Sequence, residues 1–152
     1  MNGMVSNVTL ENGIIKKTYF PDEGRYSGRN IKSHWNNEVK ALKLLNGKKH
    51  FPQIIGTGNR IIWMTYCGEL LTKDNLPKDW EKQCKEIEII FDENKMYHID
   101  LTEMVNNKKL PKNLCVNKGI IYVIDWGFWT ANKQEYAEKQ ETVKQVIEKL
   151  IK

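Results

Sequence analysis

The sequence predicts an α+β fold in which short antiparallel strands and separate helices share one domain. Three observations carry that expectation. Asn12-Gly13 stands between two apolar runs, and such a pair marks a β-hairpin because both turn positions need positive φ. Apolar residues recur at helical spacing over residues 31–46 and again after Leu76-Pro77. A second pair of apolar runs, residues 114–116 and 120–124, flanks Asn117-Lys118-Gly119.

Residues 8–10 and 14–20 form the first hairpin. A two-residue turn pairs Leu10 with Ile15 and Val8 with Lys17, so one face carries Val8, Leu10, Ile15, Lys17 and Tyr19. Lys17, rather than Lys16, then lies among apolar side chains; a slip of one residue exchanges the two. Residues 21–30 read as a turn-rich loop. The following helix has Ile31, Trp35, Val39, Leu42 and Leu45 in its apolar stripe, and at about 100° per residue Glu38 falls inside that stripe. A carboxylate facing the core needs a partner.

Two strands follow over residues 53–56 and 60–66, broken at Thr57-Gly58-Asn59, and Cys67-Gly68-Glu69 reads as a connector. A packing helix runs to about Met96, with Trp80, Cys84, Ile87 and Phe91 on one face. Next come Tyr97-His98-Ile99-Asp100-Leu101, a polar lysine-rich loop, and the second hairpin, which ends at Asp125-Trp126-Gly127. From Lys133 the tail reads as one amphipathic helix with Tyr136, Val143, Val146, Ile147 and Leu150 on its apolar face. That face packs in cis or against a protein partner.

With 152 residues, 40% hydrophobic and 28% charged, the chain suits one folded domain and excludes two full cores. Cys67, Cys84 and Cys115 are odd in number and widely spaced, which excludes a paired disulfide framework or a C-x-x-C knuckle. They read as buried thiols of a reducing compartment. No apolar run is long enough for a signal peptide or a membrane span, so a cytoplasmic protein without membrane contact is expected. Lys and Arg exceed Asp and Glu by 24 to 19, a net +5 that favours nucleotides, phosphorylated substrates or nucleic acid.

The ordered set Lys17, Glu38, His98-Ile99-Asp100-Leu101, Asn113 and Asp125-Trp126-Gly127 resembles the protein-kinase-like superfamily. That family pairs a strand Lys with a helix Glu and carries H-R-D-L-x-x-x-N and D-F-G. The resemblance spans residues 8–127 and implies a two-lobed fold. A small antiparallel-sheet N-lobe would cover residues 1–66, a hinge 65–69, and a much reduced helical C-lobe 70–152. It also implies ATP and Mg²⁺, with transfer of the γ-phosphate to a hydroxyl of a protein or small molecule. In that scheme Lys17 holds the α and β phosphates, and Glu38 keeps its ammonium ionised and aimed. Asp125 and Asn113 supply oxygen ligands suited to Mg²⁺. Asp100 accepts the hydrogen bond or proton of the attacking hydroxyl. Backbone groups of Thr65 and Cys67 meet the adenine edge, with Met64 behind it.

Departures from the family pattern set the alternatives. No G-x-G-x-x-G precedes the first hairpin, where only Gly3 is available. Residues 102–109 look inserted between Asp100 and Asn113, which leaves Asn106 and Asn107 as alternative metal ligands. Ile99 replaces the family's Arg, so control by a phosphorylated activation loop is not expected. No A-P-E follows Gly127, and the substrate-binding half of the large lobe is nearly absent. The pattern is closer to small-molecule or atypical kinases than to regulated protein kinases. A pseudokinase that binds nucleotide or acts as a scaffold is the alternative. Lys108, Lys109, Lys112 and Lys118 motivate a minor one, a nucleic-acid-binding protein. Taken singly, Asp100 also reads as the cap of a helix starting at Leu101.

Overall fold

Asn12 and Gly13 both adopt positive φ, 53° and 77°, and close a two-residue turn between β1 (Ser6–Glu11) and β2 (Ile14–Tyr19). The expected register holds, with Leu10 opposite Ile15 and Val8 opposite Lys17. The structure, a computed structural model, describes residues 6–21 and 31–152, with side chains from residue 33 in the second stretch. Beyond Pro21 the expected turn-rich loop lies outside the described residues, as does Gly3.

The described residues form a mixed α+β architecture with small antiparallel sheets. The largest sheet runs β1-β2-β4-β3, where β3 is Ile54–Gly58 and β4 is Ile61–Thr65. The turn between these strands falls at Asn59-Arg60, later than the sequence suggested. Arg60 takes φ of 58°, which frees Thr57 and Gly58 to pair with Ile62 and Ile61. Ile15, Lys17 and Tyr19 share the inward face with Ile62 and Met64, while Leu10 at the sheet margin stays half exposed. Helix α1 (Ile31–Leu45) covers that face through Glu38, Ala41, Leu42 and Leu45, all buried.

The rest of the chain surrounds helix α2 (Trp80–Asn94), which buries Cys84, Ile87 and Phe91 as its spacing predicted. Phe51, Phe91, Tyr97, Trp126 and Tyr136 form an aromatic cluster, with Phe51 and Phe91 at 5.8 Å and 5.7 Å from Trp126. The connector at residues 67–69 contains an unexpected strand, β5 (Glu69–Leu70), which pairs with β9 (Leu114–Asn117). β9 in turn pairs with β10 (Ile120–Val123) about Lys118-Gly119, the second expected hairpin. β6 (Tyr97–His98) pairs with β11 (Trp129–Thr130).

Two expectations are corrected. The lysine-rich stretch is not a loop: Thr102–Val105 (β7) and Lys108–Pro111 (β8) form a hairpin, turned by Asn106 and Asn107 at φ of 50° and 65°. This also removes the helix cap at Asp100, since a strand follows it. The tail is two helices, α3 (Lys133–Lys139) and α4 (Val143–Ile151). Gln140 is extended between them, and its side chain accepts the Leu101 N–H at 3.0 Å. Thr142 and Gln145 then form a reciprocal capping box that starts α4 afresh. α4 buries Val143, Val146 and Ile147 within the same core, so most of its apolar face is used in cis. All three cysteines are buried and unpaired. Among the described residues no helix is long and apolar enough to cross a membrane.

Candidate active site

Lys17 points inward from the middle of β2 and is almost wholly buried. Its Nζ lies 2.7 Å from Glu38 Oε1 and 2.9 Å from Asp125 Oδ1, so one cation is held between a helix carboxylate and the end of β10. Lys16 faces the other side of the sheet, opposite Thr9 and Trp63. Burial disfavours the Lys17 ammonium, but Asp125 and Glu38 more than offset it and hold its pKa well above 10.5. Glu38 holds three donors in all. Its Oε1 also accepts the Tyr19 hydroxyl at 2.6 Å, and its Oε2 accepts the Trp126 N–H at 2.7 Å. Burial and the Glu38 charge keep the Tyr19 phenol protonated as a donor by raising its pKa.

Asp125 sits just past β10 with φ of 61°. Its neighbour Trp126 is fully buried and donates its indole N–H to the Val123 carbonyl at 3.0 Å. Burial works against the Asp125 charge, yet Lys17 overrides it and lowers the carboxyl's pKa below the usual range. The backbone here is pinned by His98, whose Nε2 lies 2.9 Å and 2.8 Å from the Ile124 and Asp125 carbonyls. Its Nδ1 meets the Asp100 N–H at 3.1 Å. Carbonyls only accept and an amide only donates, so these partners fix a neutral imidazole with its proton on Nε2. Burial also lowers the His98 pKa.

Asn113, at φ of 62°, opens β9, and its carbonyl accepts the Ile124 N–H at 2.9 Å. That bond sets Asn113 beside the Asp125 end of the same hairpin. The Asn113 amide donates to the Asp100 carbonyl at 2.8 Å and approaches Asp100 Oδ2 at 3.5 Å. Asp100 is therefore tied to Asn113 by backbone and side chain, and to Asp125 through His98.

Sequence reasoning missed two contributors. Lys112, read only as part of a basic cluster, places Nζ 3.3 Å from both oxygens of Asp100. Its charge also reaches Asp125 and helps lower that carboxyl's pKa. Hairpin closure aims it, since the Lys112 N–H donates to the Leu101 carbonyl at 2.7 Å. Tyr19 was placed on the right face but not linked to Glu38. By contrast, Asn106 and Asn107 form the exposed turn at the far end of the β7–β8 hairpin. The structure brings Asn113, not these two, to the Asp100 and Asp125 segments.

Met64 is buried at the end of β4, facing the core. The Thr65 N–H is committed to the Gln53 carbonyl at 3.0 Å, and the Thr65 carbonyl takes the Cys67 thiol at 3.7 Å. Burial pushes that thiol up to about 12, so it stays protonated. Cys67 itself is buried. No protein-family model matches the sequence, and no curated protein matches it.

Proposed function

We propose that this protein is a kinase-like phosphotransferase that uses ATP and Mg²⁺ to phosphorylate a hydroxyl. The observation that carries the reading is the convergence of Lys17, Glu38 and Asp125 in one buried ion network, with Asp100 and Asn113 tied to the same hairpin end. On this reading the β1–β4 sheet with α1 forms a small lobe, the helical remainder a reduced second lobe, and residues 65–69 the hinge. The whole chain acts as one domain.

The roles follow from charge and reach. Lys17, held from below by Glu38, offers its ammonium to phosphate oxygens. Among the described residues no three His, Cys, Asp or Glu side chains gather to hold a metal alone. Mg²⁺ characteristically takes one or two carboxylates and completes its shell with substrate phosphates, and the Asp125 carboxylate with the Asn113 amide oxygen fits that donor chemistry. When bound, the metal would neutralise charge on the transferred phosphoryl group. Asp100 orients the acceptor hydroxyl, and Lys112 beside it supplies positive charge where phosphate oxygens gather.

The test is transfer of labelled phosphate from Mg-ATP to the chain itself or to a generic hydroxyl acceptor. Asp100→Asn should abolish transfer while leaving nucleotide binding in place; Lys17→Met should weaken both. Turnover that survives Asp100→Asn refutes the assignment of Asp100. One feature favours a second reading, a nucleotide-binding pseudokinase: Lys112 covers both Asp100 oxygens. ATP binding without turnover under any acceptor decides for that reading.

A further inference from the structure

The β7–β8 hairpin does more than lengthen the segment between Asp100 and Asn113. With α4 it borders a recess of about 370 Å³ lined by Lys73, Lys108, Lys109, Lys149 and Lys152. Leu110 and Leu150 complete the lining, and no Asp or Glu side chain is part of it. Glu141 reaches two of these lysines from outside the lining, at 3.3 Å from Lys109 and 2.5 Å from Lys149. Lys73, Lys108 and Lys152 make no ion pair among the described residues.

We infer that this recess is a binding site for a compact ligand bearing clustered phosphates. At about 370 Å³ the recess is of a size to take one compact ligand, with the five lysines bordering the same space. Five lysines offset only by the Glu141 side chain make the recess net positive and favour a ligand that carries several negative charges over a single carboxylate. A nucleic-acid strand fits less well: single-strand sites stack bases on aromatic side chains, and none lines the recess. Ammonium groups without a flat hydrogen-bonding fork suit phosphate as point charges.

Its place gives the site a use. Leu110 in the lining is two residues from Lys112, which contacts Asp100. A ligand anchored there touches the strand that leads into Lys112. That the recess holds the phosphorylated part of the acceptor rests on the phosphotransfer reading; that it binds phosphate clusters does not.

The experiment is calorimetric titration of the full chain with inositol hexakisphosphate, without nucleotide, for wild type and Lys73→Gln/Lys108→Gln. Both lysines are exposed, so the variant should fold, and its urea unfolding curve provides the check. The expected result is binding by wild type that weakens at least about tenfold in the variant and is not displaced by Mg-bound non-hydrolysable ATP analogue. No binding, equal binding by the variant, or displacement by the analogue overturns the inference. A single-stranded oligothymidylate that binds more tightly than inositol hexakisphosphate, with the same lysine dependence, overturns the compact ligand. Lysine-dependent binding together with a failed transfer assay would remove only the acceptor role and leave the site standing.

Discussion

Glu38→Gln isolates the interaction on which the site is built. Around the wild-type carboxylate stand three donors: Lys17 Nζ at 2.7 Å and the Tyr19 hydroxyl at 2.6 Å on Oε1, and the Trp126 N–H at 2.7 Å on Oε2. An amide has one acceptor oxygen, so its NH₂ must face a donor whichever way it turns. Lys17 keeps Asp125 alone as a charged partner, at 2.9 Å. Breaking a buried ion pair from one side costs about 3–5 kcal/mol. That is a large share of a typical total stability of about 5–15 kcal/mol. At roughly 2–4 °C per kcal/mol for a chain of this length, Tm should fall by about 6–20 °C. Lys17→Met/Glu38→Gln removes the stranded cation as well, and should cost about 1–3 kcal/mol less than the two single changes added together. Urea unfolding followed by tryptophan fluorescence measures all three, provided the m-values agree. Two single variants that each lose less than about 1 kcal/mol, and add, would mean Lys17 behaves as a solvated surface lysine and would refute the reasoning.

Two further outcomes follow from the same framework. Burial lowers the His98 pKa below its ordinary 6.5, so its contribution to stability is complete above 6.5. It is lost as pH falls through the folded value, because the unfolded imidazole takes its proton first. Wild type should therefore show an acid slope below pH 6.5, up to about 1.4 kcal/mol per pH unit, that His98→Gln lacks; parallel pH profiles would contradict it. Gly68 and Gly119 both have positive φ, 92° and 78°, but a Cβ on Gly68 would fall 2.0 Å from the Val116 carbonyl oxygen while Gly119 faces open space. Gly119→Ala should cost about 1–2 kcal/mol for its backbone alone, and Gly68→Ala clearly more, read by urea unfolding. Equal losses would show that the β5–β9 approach relaxes freely.

Where the sequence was readable, short-range rules governed the element. Asn12-Gly13 set a turn of fixed length, and turn length fixed which lysine faced inward. Helical periodicity alone brought Glu38 to the buried face. The β7–β8 hairpin was hidden because nearly every residue from 103 to 109 is exposed, so no apolar alternation marks its strands. Its Asn106-Asn107 turn was visible only as two residues tolerant of positive φ. The break in the tail was masked because Tyr136 and Val143 are seven apart, which keeps the apolar stripe in phase across it. What stops α3 is distant in sequence: Gln140 turns aside to bond Leu101. Lys112 was invisible as a partner of Asp100 for the same reason, since only hairpin closure returns it there.

The two carboxylates on Lys17 are unequal, and the inequality suits phosphate transfer. Glu38 is 1% exposed and holds three donors, whereas Asp125 is 41% exposed. On the proposed reading, Lys17 would exchange Asp125 for a phosphate oxygen while Glu38 still neutralises it from behind. Asp125, the more exposed of the two, would then be released toward solvent. Asp125 and Asn113 both stand in the left-handed region, which their short polar side chains tolerate better than most residues do. Local bonds fix that conformation, the Ile124 N–H to the Asn113 carbonyl on one side and the His98 fork beneath Ile124 and Asp125 on the other. Neither His98 contact uses the Asp125 carboxylate. A main chain held by its own bonds, with the Asp125 side chain left to change partners, is what the proposed phosphotransfer would require of this hairpin end.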